Sequence, residues 1–130
     1  MNAIDVAKAA LEVAGAEAEA VAHVEHSGLA RFAGSEVHQP TLIVNTMFTI
    51  RVVQDNRAGV ATTNKIDAKG LAEVVERARA AASSSPPDDA FPGLAPPAEL
   101  PTVEGYDEDT ARLGPEEQAQ LAGAAIEAGR

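Results

Sequence analysis

Cysteine and tryptophan are missing from this 130-residue chain, and aromatic rings are scarce, with one Tyr and three Phe. Without Cys there is no disulfide framework, no thiolate nucleophile and no thiolate zinc site. A reducing cytoplasm fits that absence and is the expected location. Long apolar runs are also missing: no stretch approaches the ~18 to 20 residues that a bilayer span needs. The first ten residues hold Asp5 and Lys8 in place of a basic start and an apolar stretch, so no secretory leader is expected. Bulky side chains are short as well. Of 59 apolar residues 28 are Ala, which leaves 31 larger ones for a core that should be thin. Positive charge is the last shortage: 10 Lys and Arg stand against 20 Asp and Glu, a net charge of −10 with a pI near 4.6. That balance argues against nucleic acid or an anionic membrane as a partner, because neutralising phosphates takes clustered cations. The length fits one domain, or a piece of a larger protein.

What is present divides unevenly. Residues 1–85 hold 8 basic and 10 acidic residues, net −2, whereas residues 86–130 hold 2 and 10, net −8. Six of the eight prolines lie between Pro86 and Pro101, after Ser83, Ser84 and Ser85 and among Asp88, Asp89 and Gly93. This is the composition of an extended strap. We therefore expect an α+β core over 1–85 and a Pro-rich acidic strap with a C-terminal helix over 86–130, both within one N-terminal domain.

Periodicity supplies the elements. Ile4, Ala7, Leu11 and Ala14 recur at helical spacing, flanked by Val6, Ala10 and Val13, with Asn2 as N-cap and Gly15 as stop. From Ala18 to His26 the period falls to two, Ala18, Ala20, Ala22 and Val24 opposing Glu19, Val21, His23 and Glu25, which predicts a half-buried strand. Ser27 and Gly28 read as a turn, Leu29 to Ala33 as a second short strand, and Gly34, Ser35 and Pro40 as further punctuation. Thr41 to Val53 is the strongest strand, with Leu42, Val44, Thr46, Phe48, Ile50 and Val52 facing a core. A turn over residues 54–59 returns the chain as Val60 to Thr63, and Gly59 is expected to supply a positive φ there. Asp67 caps a helix whose Leu71, Val74, Val75, Ala78 and Ala82 form one stripe. A last helix runs from Pro115 to about Ala128, its apolar content being Leu121 and Ile126 among alanines. The expected fold is α+β: a two-layer antiparallel sheet of about four strands packed by helices, with the strap and C-terminal helix following.

Three stretches together resemble a known family. Arg31 to Gln39 reads R-F-A-G-S-E-V-H-Q, Arg51 to Asn64 reads R-V-V-Q-D-N-R-A-G-V-A-T-T-N, and Asp67 to Arg79 reads D-A-K-G-L-A-E-V-V-E-R-A-R. With Tyr106 to Ala128 in order behind them, they are similar to the opening domain of the TldD/PmbA proteins, also called modulator of DNA gyrase. The resemblance covers nearly the whole chain. It implies an N-terminal α+β domain followed by a larger β-rich part, with proteolysis by a zinc metallopeptidase in the active members. There a His-Glu-x-x-x-His helix binds zinc, and no such motif occurs in these residues. No catalytic residue carries over, and no cofactor is expected in this chain, zinc belonging to the full-length parent. What carries over is structural: Arg31, Phe32, Glu36 and Gln39 in the first stretch, Arg51 and Val53 on the long strand, and Gly59, Thr63 and Asn64 where strand gives way to helix. The implied partners are a second subunit, in a homo- or heterodimer, the chain's own C-terminal domain, and a peptide substrate of the parent.

Other chemistry finds little support. His23, Glu25 and His26 form H-V-E-H, whose residue types suit zinc, but on a strand His23 and His26 point to opposite faces. They remain the only metal-ligand candidates. Glu104, Asp107, Glu108 and Asp109 lack the spacing of a calcium loop, Ser83 to Ser85 sit in no nucleophile elbow, and no Gly-rich phosphate loop is present. The outer face of the long strand mixes Asn45, Thr49 and Arg51 with Met47 and Val53, as a docking surface or a plain solvent face would. The expected function is that of a non-catalytic N-terminal domain serving subunit assembly and shaping of a peptide-substrate chamber. The alternative is a free-standing acidic interaction module with no peptidase connection. The weak final helix, lacking a partner, suggests that the chain is a truncated piece of such a parent.

Overall fold

Local chemistry explains where each element starts and stops. The structure, a computed structural model, describes residues 2–15, 17–96, 98–99 and 101–130, so that Pro97 and Leu100 of the expected strap lie outside the described residues. Helix α1 (Ala3–Ala14) begins where the Asn2 side chain accepts a hydrogen bond from Asp5 N at 2.9 Å. It ends at Gly15, whose left-handed φ of 53° lets its N–H reach Leu11 O. The strands β1 (Glu17–Ala33), β2 (Glu36–Gln54) and β3 (Arg57–Thr63) form an antiparallel sheet in that order. Both connections are two residues long with positive φ at both positions, Gly34 at 59° and Ser35 at 64°, then Asp55 at 52° and Asn56 at 56°. These are the turns whose twist matches that of the flanking strands.

The fold class is the expected α+β, with an antiparallel sheet packed by helices. The expected turn at Ser27 and Gly28 is absent: β1 runs straight through, and the two short strands expected on either side are one, so the sheet has three strands. Pro40 likewise does not end a strand. No bond to β3 is asked of its missing N–H, because β3 pairs only with residues 48–54 of β2, and Gln39 just before it takes a positive φ of 39°. Gly59 has no positive φ either; it lies inside β3, opposite Val52.

The chain divides into two compact units, the first comprising residues 1–24 and 45–97, the second 25–44 and 98–130. In the first, Phe48, Ile50 and Val52 of β2 are fully buried, as expected of that face. Their register partners on β3 are Thr63, Ala61 and Gly59, and Ala18, Ala20 and Ala22 of β1 pack against the same cluster. Bulk on the middle strand and small residues on its neighbours leave room for helices to approach closely. Helix α2 (Ala68–Ser84), capped by Asp67 accepting from Gly70 N at 2.7 Å, packs on β3 through Leu71, Val74, Val75 and Ala78. A Cβ on Gly59 would fall 2.1 Å from Ala78 O and 2.2 Å from Ala82 N, so the α2 backbone rests on the bare glycine.

Helix α1 packs against α2 with Val6, Ala10 and Ala14 buried. The stripe thus takes Val6 and Ala10 from the expected flanking set and Ala14 from the expected inner one, while Val13, Leu11 and Ile4 are exposed, Ile4 at 65%. Its orientation is fixed from outside, since Arg79 of α2 donates to Ala14 O at 2.6 Å and Val13 O at 3.2 Å. A cation from another helix thereby completes a C-terminus that has no basic residue in its own last turn. The strap is tied to the first unit at two points: Asp88 N donates to Asn56 O at 2.8 Å and Leu94 N to Glu17 Oε1 at 2.8 Å.

In the second unit, the short helix α3 (Glu108–Ala111) is capped by Asp107, and α4 (Pro115–Ala128) opens with Pro115 and with Glu117 accepting from Gly114 N at 3.0 Å. Its buried residues are Ala122 and Ile126; of the two large apolar residues read from the sequence, Ile126 is buried and Leu121 is exposed. A Cβ on Gly28 of β1 would meet the Gln118 amide of α4 at 1.9 Å. The two glycines make a contrast that can be measured. Gly59→Ala meets rigid helix backbone and should cost about 2 to 3 kcal/mol, lowering the urea midpoint. Gly28→Ala meets the end of a movable side chain and should cost about 1 kcal/mol or less. Equal midpoints for the two variants would contradict the α2 packing described.

Candidate functional site

Sites are built from what the elements present at the surface. In the first unit, the face of the sheet away from the helices carries two cross-strand pairs. Arg51 Nη1 lies 3.1 Å from Glu19 Oε1, and Thr49 Oγ1 lies 3.2 Å from Thr62 Oγ1, its register partner. Both pairs are partly exposed, and such ion pairs contribute little to stability. Beside the end of β3, Thr62, Asn64, Lys65, Glu73 and Arg77 line an open cavity of about 700 Å³. Arg77 donates to Thr62 O there, which occupies a carbonyl of this edge strand.

In the second unit, α4 and the β strands enclose a groove of about 590 Å³. Gly28, Leu42, Val44, Leu113, Gln118 and Leu121 are among its lining residues. It exists because β1 is continuous through Gly28, which lets the Gln118 amide lie on the strand backbone. Leu42 and Val44, expected in the core, are 59% and 75% exposed. The buried run of β2 begins only at Phe48, in the segment that β3 pairs and the helices cover. A smaller hollow of about 280 Å³ is lined by Phe32, Gly34, Ser35 and Ile126, among others.

The structure distributes the sequence-derived candidates between the two units. Arg51, Gly59 and Asn64 belong to the first, where Arg51 pairs with Glu19, Gly59 seats α2, and Asn64 lines the cavity after β3. Arg31, Phe32, Glu36 and Gln39 belong to the second. There Arg31 and Glu36 are exposed, Phe32 borders the small hollow, and Gln39 takes a positive φ ahead of Pro40. His23 and His26 are exposed residues of β1 at positions of opposite parity. Among the described residues no group of three or more His, Cys, Asp or Glu is placed to hold a metal ion. Gln118 and Gly28, which shape the groove, escaped sequence reading; a lone glycine in an alternating strand was the available signal, since it marks a turn or a close approach equally well.

Among the described residues one carboxyl, that of Asp107, is held away from its ordinary value. Asp107 Oδ1 accepts from Thr110 N at 2.7 Å, and hydrogen bonding from Thr110, side chain before backbone, holds its carboxyl below the ordinary aspartate value. A depressed native pKa means that the cap is present at neutral pH and is lost as pH falls through that lowered value. The Thr110 amide resonance should accordingly titrate with a midpoint below that of an unperturbed Asp and stop titrating in Asp107→Asn. A midpoint at the ordinary value would remove the cap.

Comparison with known proteins bears on the whole chain. The family description "PmbA/TldA metallopeptidase domain 1" matches residues 18–82, half of the chain, from β1 into the last turn of α2. No curated protein matches it. Among solved structures, TldE from Thermococcus kodakarensis superposes with a TM-score of 0.83 over 98% of this chain at 16% identity. That likeness is one of fold. The chain spans 28% of the length of that structure's chain.

Proposed function

Because this chain belongs to the TldD/PmbA metallopeptidase family, whose domain 1 it carries, we propose that it is a non-catalytic domain that serves subunit assembly and shapes the chamber in which a peptide substrate is handled. The observation that carries this reading is the apolar surface of the second unit. Leu29, Phe32, Leu42, Val44 and Leu121 are between 43% and 75% exposed there, while among the described residues of that unit only Ala122 and Ile126 are buried. Surface of that kind marks a place where another polypeptide docks. In this reading the partner is a second subunit of the same family or a further domain of the parent, and the cytoplasm is where they meet. In this reading peptide-bond hydrolysis and its zinc belong to sequence other than these residues, a view supported by the lack, among the described residues, of three or more donors placed around one ion.

Two measurements test the reading. The chain, dialysed exhaustively, should retain far less than one zinc per molecule by elemental analysis; stoichiometric zinc that disappears in His23→Ala or His26→Ala would overturn the non-catalytic assignment. In a longer family protein bearing this domain, Val44→Asp should shift the assembly toward monomer in sedimentation velocity, because a buried charge without a partner costs several kcal/mol (~3 to 5). Unchanged assembly by Val44→Asp and by Phe32→Asp would favour an independent acidic interaction module instead.

A further inference from the structure

The groove of the second unit has a definite chemistry. Leu42, Val44 and Leu121 share this concavity while 59%, 75% and 61% exposed, which is apolar area that folding of this unit leaves in water. The Gln118 amide in its wall is oriented by its neighbour. Leu113 O can only accept, so Gln118 Nε2 faces it at 3.4 Å, and Oε1 is left buried without a donor. A stranded acceptor of this sort is costly, and an incoming N–H relieves it by a soft rotation of the terminal amide. Carboxylates flank the groove through two of its lining residues, Ser27 and Thr110. Glu25 Oε1 accepts from Ser27 Oγ at 2.8 Å, and Asp107 Oδ1 accepts from Thr110 N at 2.7 Å. The unit as a whole holds 10 Asp and Glu against 3 Arg, a net charge of −7.

We propose that this groove binds an extended polypeptide segment in which apolar side chains alternate with Lys or Arg. The apolar side chains cover Leu42, Val44 and Leu121, a backbone N–H reaches Gln118, and the cations answer Glu25 and Asp107. Charge selects this occupant over the others. A second copy of the chain would bring a net charge of −10 to an acidic face, and an anionic lipid surface would be repelled in the same way. The groove shares Leu42, Val44 and Leu121 with the surface of the assembly reading, so the inference rests on that reading and deepens it by naming the chemistry of the segment that docks there. A peptide assay on this chain alone can fail while assembly of the longer protein still responds to Val44→Asp.

The test is fluorescence anisotropy of the chain with a labelled peptide of alternating Leu and Lys, and with its Leu and Glu counterpart. The Lys peptide should bind and weaken as salt is raised, and the Glu peptide should not bind. Leu121→Ser should weaken binding about tenfold, the equivalent of one lost leucine contact. Leu121 is exposed, so the variant should keep the parent's urea midpoint, which makes a loss of binding attributable to the groove. Glu25→Gln should flatten the salt dependence. Equal binding of the Lys peptide by the parent and by Leu121→Ser would place the peptide elsewhere on the acidic surface and overturn the proposal. So would equal binding of the two peptides, or sedimentation equilibrium showing a homodimer that Leu121→Ser dissociates, which would make a second copy the occupant.

Discussion

The seating of α2 on the bare backbone of Gly59 is the constraint on which the first unit depends. With so few bulky side chains, a core of this kind holds only if its layers come close, and closeness requires that something between them be missing. The missing groups are side chains of the outer strands. Phe48, Ile50 and Val52 stand along the middle strand, while Gly59 and Ala61 on β3 and Ala18, Ala20 and Ala22 on β1 leave lower ground on both sides. Helix α2 settles over β3 until its Ala78 and Ala82 backbone meets Gly59, and that depth brings Val74 and Val75 into the cluster. Dispersion and burial then act over short distances that larger residues would have prevented.

From this seating the remaining order follows. Arg79 is carried on α2 to the end of α1, where it satisfies the Val13 and Ala14 carbonyls, and Arg57 reaches Ser85 O at 2.7 Å at the far end of α2. Both arginines complete helix termini that sequence-local residues leave open, so the helices are fastened to their neighbours as well as packed against them. Such economy concentrates the buried residues in one unit. The large apolar side chains of the second unit are mostly left exposed. Burial stops partway along β2: Phe48 is inside, and Val44, four residues earlier, is three-quarters exposed.

Much of this was legible in advance. Asn2, Gly15 and Asp67 announced helix ends, because caps are interactions within a few residues. The alternation around Phe48, Ile50 and Val52 announced a buried face. Turn chemistry was only partly readable: Gly34 and Ser35 do turn, whereas Ser27 and Gly28 do not, and Asp55 with Asn56 takes the positive φ that Gly59 was expected to take. Glycine is ambiguous in sequence because lacking a Cβ serves conformational freedom and close approach alike. At positions 28 and 59 the close approach is what the fold uses, and the two approaching groups come from residues 118 and 78 to 82, far along the chain.

The sequence by itself determined the α+β class, the helix caps, the acidity of the second half and the family to which the chain belongs. These depend on composition, on short-range periodicity and on residues close together in the chain. Only the tertiary structure decided that β1 and β2 run unbroken through Gly28 and Pro40, that the expected core face of β2 is buried for only part of its length, and that Gln118 and Leu121 shape a groove. Each of those outcomes turns on which distant element lies over a strand. That is a matter of packing between residues far apart in sequence, which no local pattern encodes.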